Sequence, residues 1–358
     1  MGMHPPRRLV FIDALRGLAA LSVFFFHAAE GHHLPHLLES APEMVGLCFH
    51  HGNLGVMVFF VLSGFVIPLS IANYQPNLRF VGRFILRRSI RLDPPYWVSI
   101  GATILLAVIS VQFVPGKSYV LPTWKEALTH LFYLQTLLEV PPINVAYWTL
   151  CFEVQFYIVY VLLACSVYHA TKKTNLPGFN YVLWSATVVA NLWPLGLRTN
   201  PLWPGVFLPQ WYMFLAGVLV CRTYLERRQS TSSVATKIAF ANSGFLMVVG
   251  YFRNDIATTT VAMTALTILL MSQREKLQTA LGYRPLQLLG LISYSFYLFH
   301  NPISGAAFRI AYRLTGQSLG WELFWLVIVA GLNVAVAWLA WWMFERPSLI
   351  LCRKLSLK

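Results

Sequence analysis

Residues 11–27 read FIDALRGLAALSVFFFH and set an acid, an arginine and a histidine (Asp13, Arg16 and His27) into an otherwise apolar run. On a helix of about 3.6 residues per turn the three side chains fall within roughly 60° of one another. Each ionisable group costs about 2.5 kcal/mol or more at the centre of a bilayer unless paired or watered, so three aligned along one span point to function. Arg16 and His27 lie about 16 Å apart at 1.5 Å per residue, Arg16 in the inner half of the span and His27 near its outer mouth. The same spacing also lets Asp13 and Arg16 simply neutralise each other while His27 snorkels to the interface.

The rest of the chain supplies a membrane setting. Its 358 residues are 57% hydrophobic, 15% aromatic and 11% charged, with a mean hydropathy of +0.59, whereas soluble proteins carry about 25% charge. Apolar runs at 9–28, 54–72, 94–114, 147–168, 180–195, 206–221, 238–252, 256–272, 286–305 and 319–343 predict an all-α, polytopic bundle of about ten spans. The first run lacks a small-residue cleavage site and is expected to stay as a span. With the N-terminus in the cytoplasm, only Lys117, Lys125, Arg198, Arg253, Arg309 and Arg313 of the 27 Lys and Arg fall outside, with Arg16 inside the membrane. The positive-inside rule therefore predicts two cytoplasmic termini, and the net charge of +14 calls for no nucleic-acid partner.

No polar stretch between spans is long enough to bury its own core, so residues 1–358 are expected to form one integral domain without an appended soluble one. The five cysteines, Cys48, Cys151, Cys165, Cys221 and Cys352, are odd in number and scattered, which argues against a disulfide framework and a structural metal. The histidines of the first outer loop (His32, His33, His36, His50 and His51) fall at no recognised ligand spacing and are read as solvent-facing. The apolar piece 124–138 is too short to cross and is expected to be interfacial or re-entrant. No inverted repeat of the transporter kind is visible.

Several further residues bear on chemistry. Glu153 sits about two turns into the fourth span, where a lone carboxylate needs a nearby donor or cation. His27 is a candidate, because a carboxylate that orients an imidazole is a recurring general-base arrangement; packing against a neighbouring helix is the alternative. Cys151 has nothing local to activate its thiol. Ser293, Tyr297 and His300 share one face of the ninth span, and Ser63 with Gly64 gives the second span a small surface where a helix or ligand can approach. Arg79, Arg83, Arg87 and Arg91 recur every fourth residue with Arg88 alongside. This basic stripe suits the phosphates of a cofactor or anionic lipid. Asp93-Pro94-Pro95 is expected to set the entry of the third span.

Six segments in order, running nearly end to end, resemble the acyltransferase family 3 membrane proteins. They are FIDALRGLAALSVFFFH with its arginine and histidine, GVMVFFVLSGF (55–65), RRSIRLDPPYW (87–97), YWTLCFEVQFY (147–157), SYSFYLFHNP (293–302) and FERP (344–347). The resemblance implies cytoplasmic acetyl-CoA as acyl donor and a glycan or lipid-linked sugar hydroxyl as acceptor at the outer side. On the same analogy His27 is the catalytic base, Arg16 and Glu153 are its essential companions, and Arg87, Arg88 and Arg91 lie near the CoA phosphates. Ser63 is placed with the donor, and Asp13 is expected to hold Arg16. Asp93, Thr149 and Cys151 depart from the family pattern, which bears on the shape of the donor and acceptor passages. A proton-coupled exporter using Asp13, Glu153, His27 and His300, or transfer of succinyl or a longer acyl group, are the rival readings.

Overall fold

Inside lipid a backbone has no water to bond, so an apolar run satisfies its own N–H and C=O groups by coiling. The computed structural model describes residues 8–113, 119–170, 177–197, 205–228 and 234–355. Arg7, Lys117, Lys172, Lys173, Arg198 and Lys358 of the charge asymmetry lie outside the described residues. Among the described residues the regular structure is helical throughout. The α-helices are α1 (Val10–Glu30), α2 (Pro35–Ser40), α3 (Glu43–His50), α4 (Gly55–Ile71), α5 (Leu78–Phe113), α6 (Trp124–Leu131), α7 (Trp148–Ala170), α8 (Pro177–Ala190), α9 (Trp211–Arg228), α10 (Val234–Phe252), α11 (Ile256–Gln273), α12 (Arg284–Thr315), α13 (Leu319–Ala340) and α14 (Arg346–Lys354). A π-helical turn, Trp341–Glu345, joins the last two.

Among the described residues seven helical segments are long and apolar enough to cross a membrane: α1, α4 with its preceding turn, α5, α7, α10, α11, and α13 continued through α14. The chain is a multi-pass membrane protein. The other three expected spans also form helices, α8, α9 and α12. They fall outside that set for physical reasons: α8 has 14 residues, α9 ends in Arg222, Glu226, Arg227 and Arg228, and α12 carries the polar side chains of the site described below. The helix of the third span does not begin at Asp93-Pro94-Pro95, its expected entry. Pro94 and Pro95 lie inside a continuous 36-residue α5. Each proline removes one N–H from the ladder, and nearby the Tyr294 hydroxyl donates to the Leu92 carbonyl at 2.9 Å, which ties this stretch to α12.

Two glycine crossings set the helix arrangement. A Cβ on Gly64 would stand 1.9 Å from the Phe214 carbonyl oxygen, and one on Gly217 would stand 2.0 Å from that of Val61, so α4 and α9 touch backbone to backbone. A Cβ on Gly290 would stand 2.1 Å from the Asp13 carbonyl oxygen, and one on Gly17 would stand 2.8 Å from Gly290 N. Beyond that crossing Phe24 meets Phe296, with ring centroids 6.0 Å apart, and His27 meets His300. Thus α1 and α12 run parallel. The turn before α4 packs at Gly52 against Ser22 and Phe26, and the start of α4 at Gly55 against Ala19 and Ser22, in the middle and far half of α1, so α4 runs the opposite way.

The loop after α1 is pinned to the α12–α13 hairpin. Glu322, fully buried, accepts from the backbone N–H groups of His36 at 3.2 Å and Leu37 at 2.7 Å and from the His36 ring at 2.7 Å. Tyr312 donates to the His33 carbonyl, and the His33 ring stacks on Phe308 at 4.7 Å. These two loop histidines are thus structural partners. Burial, aided by Arg309 and His32, pushes the His33 imidazole from 6.5 down to about 4. A folded-state value below the unfolded one favours folding above the unfolded value and withdraws that support as pH falls toward the folded one. The protection of backbone amides around His33, taken relative to their intrinsic exchange rates at each pH, is therefore expected to fall between pH 6.5 and about 4, and H33F is expected to abolish that change.

Candidate active site

Five helices, α1, α4, α5, α7 and α12, enclose a cleft of about 760 Å³, its open mouth included. Its polar lining is Arg16, Ser63, Arg88, Arg91, Thr149, Glu153, Tyr157, Ser293, Tyr294 and Tyr297; Val56, Phe59, Phe60 and Ile67 supply much of the apolar wall. From Val56 to Ile67 the cleft follows α4 for about 16 Å. Five of the expected site residues, Arg16, Ser63, Arg88, Arg91 and Glu153, thus converge on one space. A second, open cavity, about 550 Å³ with its mouth included, is lined by Ser70, Tyr74, Phe84, Arg87, Arg88, Arg91 and Cys352. Because Arg88 and Arg91 border both, the two spaces adjoin at these guanidinium groups. The stripe on α5 divides accordingly: Arg79 and Arg83 are exposed, while Arg87, Arg88 and Arg91 turn partly inward.

Among the described residues none of Arg16, Arg88 and Arg91 forms an ion pair. Arg88 lies over the Tyr157 ring at 5.2 Å and the Phe84 ring at 5.5 Å and reaches Ser70 Oγ at 3.5 Å. Arg91 Nε is buried without a hydrogen-bond partner. Three guanidinium groups held in a confined space without directly bonded carboxylates suit an anion with several oxygens, because the planar fork pairs with phosphate in two-point fashion.

Glu153 accepts from Ser63 Oγ at 2.5 Å and from the Tyr157 hydroxyl one turn further along α7. Among the described residues no hydrogen bond or ion pair joins it to His27, the candidate partner suggested by depth. The reason is directional: the carboxylate leans along α7 away from the helix start, toward the arginines. His27 instead sits half-buried at the far end of α1, its ring 5.2 Å from that of His300. Asp13 also departs from expectation. It accepts from Arg8 Nε at 2.7 Å and leaves Arg16 free to face the cleft. Residues at i and i+3 are neighbours on a helix, but Arg8 approaches from the segment before α1 and takes the carboxylate.

Tyr297 links the cleft to the histidines. Its hydroxyl meets Thr149 Oγ1 at 2.7 Å and the Ala146 carbonyl at 2.9 Å, and its ring centroid lies 5.7 Å from that of His300. Tyr297, which lines the cleft, thus stands one ring contact from His300, and His300 one ring contact from His27. Cys151 is buried against the Tyr147 carbonyl at 3.6 Å, a packing role. One residue was missed: Glu345, buried at 3% exposure, accepts from Ser295 Oγ at 2.7 Å, and its charge is felt by Arg91 and Arg16. It stands in the π-helical turn, a geometry frequent at functional sites. The signal was an acid closing an apolar run.

No solved structure matches the chain. Acyltransferase MdmB of Streptomyces mycarofaciens is 28% identical over 365 residues, covering 94% of this chain and 88% of its own length. YrhL of Bacillus subtilis, provisionally named a peptidoglycan O-acetyltransferase, is 24% identical over 94% of this chain, which spans about half of that relative, 54%. The exopolysaccharide production protein ExoZ of Rhizobium meliloti is 27% identical over 87% of this chain and 94% of its own. The family model described as an acyltransferase domain matches residues 9–342, a range that takes in every helix lining the cleft, and on that match the chain belongs to this family and is an acyltransferase.

Proposed function

We propose that the protein transfers an acetyl group from acetyl-CoA, entering from the cytoplasm, to a hydroxyl of a glycan or glycolipid at the outer side of the membrane. The observation that carries this reading is the set of unpaired guanidinium groups, Arg16, Arg88 and Arg91, lining a cleft that adjoins the cavity holding Arg87. This end suits a phosphate-bearing donor. Beyond the cleft, at the far end of α1, stands the His27 imidazole, without a hydrogen bond among the described residues. The names of YrhL and ExoZ, with peptidoglycan and exopolysaccharide in them, support a glycan acceptor here. About ten spans with both termini cytoplasmic in a bacterial inner membrane set the arginine cavity on the donor side, in keeping with the charge asymmetry.

In this mechanism Arg87, Arg88 and Arg91 hold the donor's phosphates, and Arg16 steadies negative charge deeper in the cleft. Glu153, fixed by Ser63 and Tyr157, balances the arginine field. His27 takes the acceptor hydroxyl's proton as the oxygen bonds to the thioester carbonyl carbon. The carbon–sulfur bond then breaks, and the thiolate leaves with the proton that His27 returns. Purified protein in nanodiscs given labelled acetyl-CoA and a peptidoglycan or exopolysaccharide fragment is expected to form an O-acetyl ester and free CoA in equal amounts. Glycan movement without CoA release would favour the exporter and refute this assignment; transfer from succinyl-CoA, supplied in place of acetyl-CoA, with none from acetyl-CoA would replace the acyl group.

A further inference from the structure

The role that sequence depth suggested for Glu153 is vacant, since Glu153 is engaged with Ser63 and Tyr157. We infer that His300 is the positioning residue of the His27 base: its Nε2 accepts the His27 ring N–H and holds the imidazole toward the acceptor. This inference rests on the reading of His27 as the base.

His300 is 1% exposed. Its Nδ1 lies 2.8 Å from the Tyr297 carbonyl oxygen. A carbonyl only accepts, so Nδ1 carries the proton and Nε2 presents a lone pair. That Nε2 is buried and has no partner. A buried acceptor left unmet is costly and asks for an explanation. The His27 ring, also without a hydrogen bond among the described residues, is 5.2 Å away between centroids and tilted by 37°. Such loose approach is common in unliganded sites and tightens when substrate arrives.

The imidazole of His300 is held from both sides along α12. Before it, Tyr297 is anchored to Thr149 and the Ala146 carbonyl. After it, Ser304 donates to the His300 carbonyl at 2.5 Å, and Asn333 on α13 donates to Ser304 at 3.0 Å. Phe296 lies parallel to the ring at 6.3 Å. A phenylalanine would pack in the same place without an orphaned lone pair. The chemistry also balances. When one nitrogen of His27 accepts the hydroxyl proton, its other N–H points its increased positive character at His300 Nε2. His300 stays neutral throughout, and the proton returns from His27 to the departing thiolate.

The test compares H300Q with H300M in nanodiscs, two side chains of similar length that differ in carrying an acceptor oxygen. With acetyl-CoA and a glycan fragment, H300M is expected to lose about 100-fold in kcat with KM for acetyl-CoA unchanged, while H300Q stays within about tenfold of wild type. Equal losses in both variants, an unaffected H300M, or a loss confined to KM would each overturn the role. In parallel, NMR of 15N-histidine-labelled protein is expected to show a scalar coupling between the His27 N–H and His300 Nε2, absent in H300M. Should wild-type protein leave acetyl-CoA intact, the donor assignment fails, and the coupling alone then decides for or against His300.

Discussion

With His27 replaced by alanine, acyl transfer from labelled acetyl-CoA is expected to fall about 10³-fold while the donor still binds. The split follows from where the groups sit. His27 is at the far end of α1 from the arginine cavity, and it lines neither the cleft nor that cavity. Its loss removes a proton acceptor and leaves every guanidinium in place. Isothermal titration with acetyl-CoA and a product assay on the same preparation measure the two halves separately. A variant that transfers acetyl at the wild-type rate would take the base out of the scheme. One that no longer binds donor would mean the histidine acts through the fold.

The second large effect concerns the α4–α9 crossing. G64A places a methyl group where the Phe214 carbonyl stands, 1.9 Å from the new carbon. A backbone oxygen cannot swing aside as a flexible side chain does, so the two helices must part. Overpacking of this kind costs about 1–3 kcal/mol. The apparent melting temperature of the detergent-solubilised protein is expected to fall by several degrees. Activity should fall as well, because Ser63, adjacent to Gly64, is the residue that holds Glu153. G217A meets the Val61 carbonyl at 2.0 Å across the same interface. The double variant should therefore lose less than the sum of the two single losses. An unchanged melting curve for G64A would show that the crossing is looser than it stands here.

The helices themselves were largely legible, since apolar runs in α1, α4, α10 and α11 leave no alternative to coiling in lipid. Arg16 and Glu153 stand out in the sequence because intramembrane charge is expensive, whereas their meeting with Ser63, Arg88 and Arg91 on one cleft is seen only in the fold. Pairing was harder. Depth along a span sets how far in Glu153 lies but not which way its carboxylate leans, and the structure turns it to Ser63 and Tyr157. Asp13 found Arg8 because helical spacing says nothing of a residue that enters from before the helix. Glu345 escaped notice for a similar reason: an acid at the end of an apolar run looks interfacial until Ser295, fifty positions earlier, is folded against it.

Gly17 precedes His27 by ten positions, and Gly290 precedes His300 by the same number. Since the two helices of this parallel pair are clamped at the glycines, equal strides carry both imidazoles to the same level, and the match is a matter of counting. Inserting one alanine between clamp and ring on either helix would rotate that ring by about 100° and carry it out of step with its mate. The chain's tolerance for length changes should thus be lowest along these two short stretches, where no side chain need be altered for the pairing to be lost.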